Sequence, residues 1–202
     1  LSAVQNTFIY LVGFPGAGKL TIARSLMKLI PTILVDNHYV NNVIFSLIDT
    51  DGKTKLPQTV WKNVARVRDA VFDTIAYLSK PNRNFVFTNA LFDSNENDHR
   101  LFDRVVELSR QRAAQLFIFR ILVDAEEICR RIVSPDRQSN LKDIDAESAR
   151  KRSVAETVLV PRFTTYFDVQ ATELSADYVS RVIADVVRGD LLNPAVEKRS
   201  VR

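Results

Sequence analysis

Short, wholly apolar runs alternate along this chain with stretches in which apolar residues recur every three or four positions. That alternation predicts buried strands separated by amphipathic helices, and so a parallel sheet with helices on both faces. The first strand is expected over about Phe8 to Val12. A helix follows over about Lys19 to Leu29, with Ile22, Leu26 and Leu29 on one face and Pro31 beyond its end. Thr32 to Val35 forms a second strand, Asp36-Asn37-His38 a turn, and Asn41 to Ile48 a short helix. A long helix is predicted over about Gln58 to Ser79, because Val60, Val64, Val67, Val71, Ile75 and Leu78 keep helical spacing. Strands at Phe85 to Asn89, Leu116 to Val123 and Phe167 to Gln170 alternate with helices at about 98–112, 125–133 and 145–156. Ser175 caps a final helix that Gly189 closes, and a polar tail from about 193 to 202 reads as frayed.

The chemistry concentrates where the first strand meets the first helix. Gly13-Phe14-Pro15-Gly16-Ala17-Gly18-Lys19-Leu20-Thr21 follows the apolar run Thr7 to Val12. A strand, a glycine-rich turn and a helix with lysine in its first turn make a phosphate-binding loop. Glycines let successive N–H groups point inward at phosphate oxygens, the helix start adds further unpaired N–H groups, and Lys19 brings a mobile full charge. The signature departs from its usual form at one position. Leu20 stands where a Ser or Thr hydroxyl would bind Mg²⁺. Thr21 comes one residue later, about 100° around the helix, and is expected to bond an inner phosphate instead.

Composition adds modest limits. A chain of 202 residues is long enough for one domain with small flaps. Apolar content of 46% and charged content of 26% are those of a globular protein, and no apolar run approaches a membrane span. No secretory pattern opens the chain, and its single cysteine, Cys129, excludes an internal disulfide, which fits a cytoplasmic protein. The net charge of +4 favours anionic ligands. Arg130-Arg131 and Arg150-Lys151-Arg152 are the main basic clusters. They read as solvated surface, because no base-stacking aromatic cluster accompanies them, which argues against a nucleic-acid partner.

With the motif and the strand order in place, the chain resembles the small P-loop kinases of the adenylate, shikimate and gluconate kinase type, within the P-loop NTPase superfamily. The resemblance covers nearly the whole length. It rests on Gly13 to Thr21, on Asp36 after the second strand, on Thr88-Asn89-Ala90-Leu91-Phe92-Asp93 at the end of the third, and on the arginines that follow the fourth. It implies a three-layer α/β/α fold with a five-stranded parallel sheet, the P-loop strand in the middle, a flap over about 41–58 and a mobile lid over about 134–153. ATP and Mg²⁺ are the implied cofactors. Gly13, Pro15, Gly16, Ala17, Gly18, Lys19, Leu20 and Thr21 would hold the phosphates, and Arg131 would stack on the adenine. Lys19 and the lid arginine Arg137 would neutralise the transferring group. Asp36 would orient or deprotonate an acceptor hydroxyl, or hold Mg²⁺ through water. His38, Asn89, Asp93 and Arg150 would face the acceptor, Asp93 serving Mg²⁺ or substrate or capping the next helix.

The function expected is ATP-dependent phosphoryl transfer to a small-molecule hydroxyl or phosphate acceptor. Leu20 supports an alternative, a nucleotide-binding sensor or partner-binding module with weak transfer. A third reading is a kinase acting on a nucleic-acid end or a sugar-nucleotide. The missing Asn-Lys-x-Asp signature argues against a regulatory GTPase. Arg66 and Arg68 lie on a helix whose other face is apolar and are expected to be solvated, as is His99.

Overall fold

Every residue of β1 (Thr7–Gly13) is buried. A strand with no polar face must be covered on both sides, and β1 is the central element of the molecule. The computed structural model describes residues 4–49, 54, 56–133, 146–190 and 195–200. Among them β2 (Ile33–Asp36), β3 (Phe85–Asn89), β4 (Gln115–Leu122) and β5 (Tyr166–Gln170) run parallel to β1 in the order β2-β3-β1-β4-β5. The pleat sends alternate β1 side chains to opposite layers. Ile9 and Leu11 join the core under α1 (Lys19–Leu26) and the C-terminal helix. Phe8, Tyr10 and Val12 join an aromatic core with Phe72, Phe85, Phe87 and Phe102.

The remaining helices are α2 (Asn37–Phe45), α3 (Gln58–Asp73), α4 (Glu96–Gln111), α5 (Ala125–Ile132), α6 (Ala146–Ala155) and α7 (Ala176–Arg188). The long helix expected over 58–79 is present but does not end as an α-helix. Its last residues, Thr74–Leu78, form a π-turn closed by the Ser79 amide on the Thr74 carbonyl at 3.0 Å. The wider turn breaks the helical spacing, so Leu78, expected on the apolar face, is 79% exposed. Arg112 caps this end by donating to the carbonyls of Ile75, Ser79, Lys80 and Pro81.

Three expectations are corrected. The sheet has a sixth strand, β6 (Val196–Arg199), antiparallel to β5, in the stretch read as a frayed tail. Its single inward residue, Val196, supplies too little periodicity to signal a strand. The ladder to β5 and the burial of Val196 hold it, and charge adds to them. Arg199 Nε lies 3.4 Å from Asp168 on β5, and Asp168 is paired with the buried Arg120 on β4 at 3.2 Å. Second, Asp36-Asn37-His38 is not a separate turn. Asp36 is the N-cap of α2, which starts at Asn37 and ends at Phe45. Third, His99 is buried, and its Nε2 sits 2.9 Å from the Asp93 carbonyl. Of the expected lid, residues 134–145 lie outside the described residues and the rest, 146–153, falls within α6. The flap is described only in part, since 50–53 and 55 lie outside too. Among the described residues no helix is long and apolar enough to cross a membrane.

Candidate active site

The turn after β1 is shaped by its glycines. Gly16 and Gly18 have φ of 90° and 83°, values that side-chain-bearing residues rarely adopt. A Cβ on Gly13 would stand 2.7 Å from the Ile121 carbonyl oxygen of β4, and one on Gly16 would stand 3.2 Å from that of Ile128 on α5. The loop is thus pressed against two neighbouring elements. It is closed by the Ala17 amide donating to the Phe14 carbonyl at 3.1 Å. Gly18 caps α1 with no side-chain acceptor, which leaves the first N–H groups of the helix for a ligand. Lys19 Nζ folds back and donates to the Gly13 and Phe14 carbonyls, each at 2.8 Å.

A cleft of about 390 Å³ opens over this helix start, at the C-terminal ends of the strands. Lys19, Arg24, Arg130 and Arg131 line it against one carboxylate, Asp36. Of the residues expected to bind phosphate, Pro15, Gly16, Gly18, Lys19, Leu20 and Thr21 line the cleft. Ala17 is buried beneath it and Gly13 is the buried end of β1. His38 lines the cleft as well. Asp36 is 4% exposed. Its Oδ1 accepts from the Thr88 hydroxyl across the β2–β3 pair, and its Oδ2 is buried with no hydrogen-bond partner.

Arg131 is held in place by Glu127 Oε1 at 2.6 Å and the Thr172 carbonyl at 3.1 Å. Glu127 also chelates Arg130, and that hydrogen bond, reinforced by Arg131, holds its carboxyl down to about 2. The Arg131 guanidinium lies against Gly18, 3.7 Å from where a Cβ would sit. It also walls a second cavity of about 270 Å³, with Thr21, Ile22, Leu174 and Val179.

Other expected residues lie elsewhere. Asn89 is buried at the end of β3 and does not line the cleft. Asp93 is used structurally. Its Oδ1 accepts from the Val160 amide at 2.9 Å, and its own amide donates to the Thr157 carbonyl. Arg150 on α6 is exposed, 3.3 Å from Glu126. Arg137 lies outside the described residues. Thr88 and Ala90, from the segment at the end of the third strand, line the cleft too, and so do three residues with no role at the site in the sequence analysis, Arg24, Asn37 and Arg130. Thr88 carries a readable signal, as the only polar residue inside the apolar run Phe85 to Thr88. Arg68 is not solvated. It is half-buried and donates to Asn37 Oδ1 at 3.5 Å.

A family profile described as an AAA domain matches residues 8–150, most of the chain and every residue that lines the cleft over the start of α1. The chain belongs to the AAA domain family. No curated protein matches it in sequence. Solved structures share the fold of this AAA domain at low identity. A Chloroflexus aurantiacus protein whose kinase assignment is provisional has a TM-score of 0.64 at 15% identity, over 94% of this chain and 100% of its own. A gluconokinase from Sinorhizobium meliloti 1021 has a TM-score of 0.57 at 12% identity, covering 93% and 94%. A shikimate kinase from Acinetobacter baumannii, in complex with shikimate, has a TM-score of 0.51 at 15% identity, covering 93% and 96%. This AAA domain therefore has the fold of the small P-loop kinases.

Proposed function

We propose that this protein is a phosphotransferase. It binds the triphosphate of ATP over the start of α1 and passes the terminal phosphoryl group to a small acceptor beside Asp36. One observation carries the reading. Four cationic side chains and the open N–H groups of a helix start face a single carboxylate in one cleft. Phosphoryl transfer asks for that arrangement, since positioning and charge neutralisation supply most of the catalysis. The kinase folds named above agree with it. Lys19 turns from the loop carbonyls to the phosphates. Arg131 and the apolar walls of the second cavity receive the adenine.

In the transfer step the acceptor oxygen forms a bond to the terminal phosphorus while the bond to the bridging oxygen breaks. ADP leaves with that electron pair, and the acceptor's proton passes to Asp36 Oδ2. Thr88 fixes the other carboxylate oxygen, so Oδ2 is the one left to accept. Asp36→Asn should lower turnover by about 10²- to 10⁴-fold with ATP affinity within about threefold. ADP release over a panel of hydroxylated acceptors, with nucleotide titration beside it, measures both. An unchanged rate would return Asp36 to a purely structural role.

Magnesium, when bound, neutralises the triphosphate charge. The residues present fit it sparsely. Leu20 brings no oxygen to the cleft, Thr21 is exposed one position further round, and Asp36 Oδ2 is the one buried carboxylate oxygen there without a partner. Asp36 is thus the residue that would hold the ion, through water, with the phosphates supplying the other oxygens. Leu20 also favours a second reading, nucleotide sensing with little transfer. Leu20→Ser should strengthen ATP binding in Mg²⁺ by about tenfold and leave metal-free binding unchanged. Equal binding with and without Mg²⁺ in both proteins would mean that the missing hydroxyl limits nothing.

A further inference from the structure

Glu127 is the one acid among the described residues that wall the second cavity. Its presence runs against the charge of the site. The cleft beside it gathers four cations, and a carboxyl held down to about 2 stays ionised and repels phosphate. The side chain is 16% exposed and both of its oxygens are in use. Oε1 accepts from Arg131 Nε and from Arg130 Nη2, each at 2.6 Å, and Oε2 accepts from Arg130 Nε at 2.7 Å. Helix stability gives little reason for such an acid, since pairs three or four residues apart on one helix contribute weakly.

The two arginines are held differently. Arg130 is 75% exposed, whereas Arg131 is 26% exposed and gripped from two elements. Its Nε donates to Glu127 on its own helix, and its Nη2 donates to the Thr172 carbonyl, in the loop after β5, at 3.1 Å. Hydrogen bonds to a guanidinium lie in its plane, so two of them fix that plane and leave the faces open. Ile22, Leu174 and Val179 supply apolar wall to the same cavity. A flat ring fits between a cationic face and such a wall. We infer that Glu127 is the positioning residue of the base site, holding the face of Arg131 toward the base of the nucleotide. This rests on the phosphotransfer reading, which puts the base in that cavity. The acid then does two things at once. It strengthens the hold on a nucleoside and weakens the hold on bare phosphate, so the site selects a nucleotide over the inorganic polyphosphate that its cations alone would take.

The test measures binding of ADP and of inorganic pyrophosphate to the full chain by calorimetry, without metal. Both ligands carry a diphosphate, so the ratio of their dissociation constants isolates what the nucleoside adds. Glu127→Ala should weaken ADP binding by about tenfold, a loss of the size expected for one stacking contact, while pyrophosphate binds as tightly as before or more tightly. Arg131→Ala should change the ratio by the same factor, and the double variant should change it no further, because the two residues act through one contact. Arg130→Gln should move both ligands together and leave the ratio alone. Glu127→Asp keeps the charge but reaches one methylene less far, so ADP should weaken with pyrophosphate unchanged, and this variant carries the test if Glu127→Ala does not fold. An unaltered ratio in folded Glu127→Ala or Glu127→Asp protein overturns the inference. So do equal losses for the two ligands, or additive losses in the double variant. Wild-type protein that binds no ADP would instead sink the phosphotransfer reading, whereas normal ADP binding with a ratio indifferent to Glu127 sinks the positioning role alone.

Discussion

Lys19→Ala should lower phosphoryl transfer by about 10²- to 10³-fold, the usual cost of removing one donor aimed at developing charge. The ammonium is the only full charge in the loop itself, since Gly13 to Gly18 contribute backbone groups alone. In the ligand-free protein it rests on two loop carbonyls at 2.8 Å. Losing it therefore also removes two charge-assisted hydrogen bonds from the resting loop, each worth about 1.5–3 kcal/mol at most. The fold should survive, because the flanking strand and helix are anchored by Ile9, Leu11, Ile22 and Leu26 in the core. ADP release, fluorescent-nucleotide titration and thermal unfolding of the same variant separate the two effects. Wild-type transfer and wild-type affinity in a folded Lys19→Ala protein would end the phosphate-cradle interpretation.

The largest stability effect should come from Asp168→Ala. Arg120 and Asp168 are both 8% exposed, so solvent screens their contact little. Removing the acid leaves Arg120 buried with the Val158 carbonyl at 3.2 Å and the face of Tyr166 at 5.4 Å, and no charge partner. Breaking a buried pair from one side costs about 3–5 kcal/mol. For a domain of this size that lowers Tm by roughly 6–20 °C. The variant also leaves Arg199 with Glu197 alone, at 2.6 Å, and so removes its tie to β5. Urea denaturation measures the loss. Replacing both partners together, Arg120→Met with Asp168→Leu, should recover most of it, because the penalty comes from the orphaned charge rather than from the missing attraction. A loss below about 1 kcal/mol in Asp168→Ala would mean that water reaches Arg120.

The contrast between these residues explains what the sequence made readable. β1, β3 and the loop between β1 and α1 follow from short-range pattern, an apolar run and a glycine spacing whose backbone demands are local. α7 was equally plain, since Ser175 and Gly189 mark its ends and each makes the bond its type predicts. β6 was not legible, because three of its four residues are exposed and the buried acid that Arg199 meets lies 31 positions away in sequence. Arg68 and His99 differ from the solvated expectation for one reason. Both are polar residues on the inward stripe of a helix, Arg68 between Val64 and Val71 and His99 three before Phe102, and there position outweighs polarity. Asp93 shows the reverse. Its type suited the chemistry, but the Val160 amide takes one of its carboxylate oxygens.

The contact between Gly16 and α5 leaves no room for a side chain. Phe14 packs into the cluster of Ile128, Ile132 and Ala149, and a Cβ on Gly16 would stand 3.2 Å from the Ile128 carbonyl oxygen. A larger residue at position 16 would wedge the turn away from α5, and with it from the Arg131 guanidinium that lies against Gly18.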